Sequence, residues 1–234
     1  MLDLDRRFRF TPDMNKLFRT TARVVTGRFG KHDVESFDAR HLALGLLFAW
    51  LAGMGRYWDN PKAHLLQHLG LGSVVYVFAL SLMIWLLGLP LRPSNWSYRR
   101  LVTFISLTAP LAFLYAIPVE RFMSMKDARS ANMWFLLVVA VWRVILYGMY
   151  LWRVTNLQLL SRCTMLLLPL ALIVTALSSL NLEHVVFNFM GGLQDTEKSS
   201  ADDAYAVVFL LSMVSWLLSP VLLIAYVVSI FRER

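Results

Sequence analysis

Apolar residues along this chain gather into six segments separated by short polar stretches. The segments run Leu42–Gly55, Leu69–Leu89, Leu101–Pro118, Asn132–Trp152, Leu160–Leu180 and Tyr205–Ile230. A helix needs about 20 mainly apolar residues to cross a bilayer, and five of the six approach or exceed that length. The first is shorter. It spans if Arg40 and Arg56 snorkel to opposite headgroup layers, with Tyr57 and Trp58 in the aromatic belt. The pattern therefore predicts an all-α, polytopic transmembrane helical bundle of about six spans over residues 42–234, preceded by a separate arm, residues 1–41.

Turn residues fall between the segments. Leu89-Pro90-Leu91-Arg92-Pro93-Ser94 breaks the helix after the second span, because proline removes a donor and clashes with the preceding turn. The connection from Asn181 to Ala204 holds Gly191-Gly192 and the acidic stretch Asp195 to Asp203, and is the most polar loop. Pro110, Pro118, Pro169 and Pro220 predict kinks within or at the ends of later spans.

Composition agrees with a lipid environment. Hydrophobic residues make up 58% and charged residues 16%, below the roughly 25% usual for a soluble domain. The one cysteine, Cys163, excludes an internal disulfide and a multi-cysteine metal site; it reads as a small apolar residue near a helix start. The arm carries nine cations (Arg6, Arg7, Arg9, Lys16, Arg19, Arg23, Arg28, Lys31 and Arg40) and lacks the apolar core and small-residue cleavage site of a signal peptide. Leu17, Phe18, Val24, Val25 and Phe29 interrupt these cations at helical intervals, as in a basic amphipathic helix lying at a membrane interface. Its expected partner is a layer of anionic lipid headgroups; no recognition motif accompanies it for nucleic acid. With six spans and a cytoplasmic N-terminus, 16 Lys and Arg fall on the inner side and 6 on the outer. The positive-inside rule thus favours a bacterial inner-membrane protein with both termini cytoplasmic.

Two constellations could carry chemistry. Arg143 lies near the middle of the run from Asn132 to Val154, where a charge costs at least about 2.5–3.5 kcal/mol and normally faces a protein interior or a water-filled cavity. No Asp or Glu lies inside an apolar segment, so helix carbonyls freed by Pro110 or Pro169, Ser106 or Thr175, a lipid phosphate or an anionic substrate are its candidate partners. At the outer face the six-span pattern collects Arg56, Asp59, His64, His68, Glu120, Arg121, Glu183 and His184. His64 and His68 are four apart, so on a helix they share a face and, with Asp59, could bind one metal ion. Interfacial histidines more often bond loops or headgroups, and no established catalytic motif accompanies this pair. No cofactor is predicted. Haem would need axial histidines on two spans, but His41 lies at the opposite end of the bundle from His64 and His68.

The stretch Trp96-Ser97-Tyr98-Arg99-Arg100-Leu101, the apolar span ending at Pro118 and the Trp142-Arg143 segment resemble the bacterial Yip1-like membrane proteins over about residues 70–230. That family usually has five spans and loop motifs built on Asp-Leu-Tyr-Gly-Pro and Gly-Tyr-Gly, which this chain lacks. No functional residue can be carried over. The resemblance implies a non-enzymatic bundle that organises membrane or recruits a protein partner, with a cytoplasmic N-terminal arm.

These readings leave three expectations. The first is a non-enzymatic scaffold or subunit, alone as a homo-oligomer or with a protein partner, working through the basic arm. The second is a metal-assisted enzyme acting on lipid or another substrate at the outer face through His64 and His68. The third is a transporter that passes an anionic solute by Arg143.

Overall fold

The computed structural model describes residues 12–55, 65–179 and 202–233, and no strand occurs among them. The described residues form nine α-helices in chain order: α1 Pro12–Val25, α2 Lys31–Glu35, α3 Ala39–Gly55, α4 Leu65–His68, α5 Leu71–Gly88, α6 Tyr98–Leu107, α7 Met125–Val154, α8 Leu159–Ser179 and α9 Asp202–Arg232. Among the described residues four stretches are helical, long and apolar enough to cross a membrane: Leu71–Leu91, Ser130–Val154, Leu159–Ala176 and Leu210–Arg232. Large apolar side chains cover their outer faces, as lipid contact requires; Leu217, Ile224 and Phe231 on α9 are examples. The chain is therefore built as an integral membrane protein.

Two of the six apolar segments take other forms. The first becomes α3, apolar but only 17 residues long. The third does not make one helix. Its first part is α6, and after Thr108 the backbone tightens into a 3-10 helix, Ala109–Ala116. Pro110 explains the change, since it cannot donate to Ser106 and its ring crowds that carbonyl. Every residue from Leu101 to Ala109 is buried, so α6 is the central element of the bundle and not a lipid-facing one. Its hydroxyls are satisfied locally: Thr103 Oγ1 donates to Arg99 O (2.8 Å), Ser106 Oγ to Thr103 O (2.9 Å) and Thr108 Oγ1 to Ile105 O (2.7 Å). Gly45 lets α3 cross α6 at close range, because a Cβ there would stand 2.2 Å from Ser106 Oγ and 2.9 Å from the Leu107 nitrogen.

α8 and α9 form an antiparallel pair held by small polar residues. Thr175 and Ser219 hydroxyls meet at 3.1 Å, and Ser178 donates to Ser212. Tyr226 on α9 reaches back to Leu87 O at the end of α5 (2.7 Å). Several connections close one end of the bundle. Ser94 N–H donates to Asn156 Oδ1 (2.7 Å), and Gln158 N–H donates to Glu233 Oε1 (2.7 Å). The α5–α6 loop, the α7–α8 loop and the last residues of α9 therefore lie together.

The same end receives α3. Asp38 Oδ1 accepts from the Arg40 and His41 backbone N–H groups (both 3.0 Å), as a helix-capping carboxylate does, and stands 2.7 Å from His41 Nδ1. Burial of this carboxyl raises its pKa, but the hydrogen bonds from the His41 backbone and ring and from Arg40 outweigh that and hold it below the ordinary carboxylate range. A carboxyl lowered in the folded state contributes stability above its unfolded pKa of about 3.9, and that contribution is lost as pH falls through the lower folded value. Replacing Asp38 with Asn should flatten the acid limb of detergent-solubilised unfolding below about pH 4. An acid limb identical in the two proteins would rule out this cap as its source.

Candidate functional site

Helix α1 and the turn after it are packed against the bundle. Leu17, Thr20, Thr21 and Val24 are buried at helical spacing, while Lys16, Arg19, Arg23 and Arg28 are exposed. Of the apolar residues expected to form one face, Leu17, Val24 and Phe29 are buried against protein, Val25 is half-buried and Phe18 is exposed. The helix ends in a left-handed turn at Gly27 (φ 69°), with Arg28 N–H returning to Arg23 O (2.8 Å) and Gly27 N–H to Val24 O (3.1 Å). Glycine is needed there for its positive φ and for space: a Cβ would lie 3.0 Å from Met149 Sδ.

Three side chains of α6 and α7 hold this turn. Trp142 Nε1 donates to Val25 O (2.8 Å), and the Arg153 guanidinium donates to Gly27 O (2.6 Å) and Phe29 O (3.0 Å). Arg153 also lies over the Phe29 ring, 5.8 Å from its centroid. Phe29, 2% exposed, packs 5.2 Å from the ring of Phe104, which in turn lies 4.6 Å from Tyr150. A short polar clip closes the next turn, where Asp33 pairs with Arg23 (2.9 Å) and accepts from Gly30 N–H (2.9 Å). Asp33 therefore neutralises one arm cation and fixes α2 to α1.

The outcome is a seated arm with a cationic outer face. Lys16, Arg19, Arg28 and Lys31 are exposed there, with Arg40 following at the start of α3. Arg92, Arg99, Arg100, Arg153 and Arg162 lie in or beside the connections at this same end. Cations therefore outnumber carboxylates at this end of the bundle, where Glu35, Asp38 and Glu233 also lie, and the excess suits anionic headgroups or an acidic partner.

The other candidate residues are not drawn into a comparable site. Arg56, Asp59, His64, Glu183 and His184 lie outside the described residues. His68 closes α4 and is half-buried, but its expected partner His64 is not among the residues described. Glu120 and Arg121 fall in a 3-10 turn, Val119–Arg121, and Arg121 is exposed. Among the described residues no group of three or more His, Cys, Asp and Glu is placed to hold a metal ion. Arg143 is half-buried on α7, and its Nε is enclosed without a hydrogen-bond partner among the described residues.

The sequence pattern does not reveal what receives α1 and its turn. Trp142 reads as a belt or packing residue and Arg153 as a loop cation, since contacts 117 and 126 residues away leave no local trace. Compared with known proteins, the chain matches no protein-family model, no curated protein and no solved structure.

Proposed function

We propose that this chain is a non-enzymatic membrane scaffold or subunit, crossing the bacterial inner membrane six times with both termini cytoplasmic. Two of the crossings would be the 17-residue α3 and the composite of α6 and its 3-10 extension. The observation that carries the reading is the seated arm. Leu17, Val24 and Phe29 are buried against the bundle, while Lys16, Arg19 and Arg28 are exposed toward a surface outside the protein and Lys31, also exposed, pairs with Glu35 at 4.0 Å. Near an anionic membrane each of Lys16, Arg19, Arg28 and Lys31 would contribute about 1 kcal/mol, and an acidic protein partner would use the same charges. The resemblance to the Yip1-like proteins implies the same kind of role. Charge asymmetry supports the orientation, since the arm end is the cation-rich end.

The test keeps the seat and removes the charge. Lys16, Arg19, Arg28 and Lys31 are changed to Glu together, leaving Arg23 to its pair with Asp33, and a photo-crosslinking residue replaces the exposed His32. Ultraviolet irradiation of native membranes should capture anionic lipid or one discrete protein band with the cationic arm, and at least ten-fold less with the acidic one. Equal capture by both would defeat the proposal.

A further inference from the structure

The seated arm also changes where Arg143 stands in the membrane. Helix α7 has 30 residues, which at a rise of 1.5 Å per residue is about 45 Å, well beyond the roughly 30 Å hydrocarbon core. Its apolar stretch begins at Ser130, just after Lys126, Asp127 and Arg129, so one boundary is set by charge. About 20 residues further on is Met149. That is the level at which the Gly27 turn touches α7, with Met149 Sδ and Leu146 Cδ2 around it. Exposed Arg28 follows this turn, and a cation beside it cannot rest in hydrocarbon. Counting along the helix and placing the arm thus give one answer: the leaflet boundary on the arm side crosses α7 near Met149.

Arg143 is then six residues, about 9 Å, below that boundary and about 5 Å to the arm side of the midplane. Val139, Leu146 and Tyr150, on the same stripe of α7, are buried, so Arg143 lies on an inward-facing side while remaining part-exposed. None of α3, α5, α6 or α8 carries an Asp or Glu, and the Arg143 Nε is enclosed without a partner among the described residues. A buried N–H of a charged group is costly to leave without an acceptor, and an anion reaching Arg143 would supply one. Helix side chains lean back toward the N-terminus, which points Arg143 away from the ordinary headgroup plane. The anion must therefore be drawn inward beside Trp142, as a bound molecule and not as bulk lipid.

We infer that Arg143 binds the phosphate of one anionic phospholipid, held below the leaflet surface next to the seat of the N-terminal arm. The inference rests on the membrane reading but not on which side of the membrane the arm occupies, and alkaline carbonate extraction tests that reading separately.

Native mass spectrometry of the full chain in detergent provides the test, with phosphatidylglycerol, phosphatidylcholine and inorganic phosphate as probes. Wild-type protein should retain one phosphatidylglycerol through delipidation, at least ten-fold more than phosphatidylcholine, and Arg143→Gln should lose that preference. Arg143→Lys, which keeps the charge without the planar fork, should retain part of it. Equal retention of the two lipids by the wild type, a measurement independent of how the variants fold, overturns the inference. So does undiminished phosphatidylglycerol in Arg143→Gln. Displacement of the lipid by millimolar inorganic phosphate would assign the site to a soluble anion and overturn the lipid source.

Discussion

Phe29→Ala is expected to release the arm from the bundle. The ring is 2% exposed, packs on Phe104 and lies beneath Arg153, so its removal leaves a space bounded by α6 and α7. Truncating a buried phenylalanine typically costs about 3–5 kcal/mol, part from lost transfer energy and part from the cavity. Residues 27–30 are otherwise held by the Arg153 hydrogen bonds, by the Asp33–Gly30 bond and by Met149 and Leu146 beside Gly27. The cost should fall on local opening of the arm, with the membrane-inserted helices left in place. Limited trypsin digestion reads this directly, because Arg28 and Lys31 flank Phe29 and are exposed. Cleavage at these two residues should accelerate by at least a hundred-fold in the variant, with the α8–α9 pair still protected. Unchanged cleavage would mean that the arm is held by something other than its aromatic anchor.

Much of this architecture is readable from sequence, for identifiable reasons. Long apolar runs announce α5, α7, α8 and α9 because a bilayer demands continuous hydrophobicity over a fixed length. The break at Pro110 follows from its missing donor, although a kink was the expected form and a switch to 3-10 geometry is the observed one. The spacing of Leu17, Phe18, Val24, Val25 and Phe29 predicts an amphipathic helix, yet such a pattern does not say whether lipid or protein will cover each residue, and Thr20 and Thr21 are buried while Phe18 is exposed. That choice depends on Trp142 and Arg153, more than a hundred residues away. Arg143 shows a related limit. The centre of an apolar run need not be the centre of the bilayer where, as in α7, the helix is longer than the hydrocarbon core is thick.

Arg153→Met tests the polar half of the seat, and its expected effect is close to that of the aromatic half. The guanidinium donates to two carbonyls, Gly27 O at 2.6 Å and Phe29 O at 3.0 Å. Both belong to a turn whose backbone cannot satisfy them internally. Hydrogen bonds to a charged group contribute about 1.5–3 kcal/mol each, so losing both should cost about 3 kcal/mol or more. Methionine retains most of the apolar stem, which isolates the lost hydrogen bonds from lost packing. Both bonds leave one nitrogen, Nη1, so a lysine ammonium that reaches the same point can donate to these carbonyls, and Arg153→Lys should recover part of the loss. When opening is fast relative to cleavage, the rate of trypsin cutting at Arg28 tracks the open population, so each ratio of rates converts to a free energy. The double variant Phe29→Ala/Arg153→Met should then open less than the two single effects predict together, because each removes part of the same contact. Strict additivity would show that the ring and the guanidinium hold the arm independently, and equal behaviour of the Met and Lys variants would deny the two-carbonyl bridge its role.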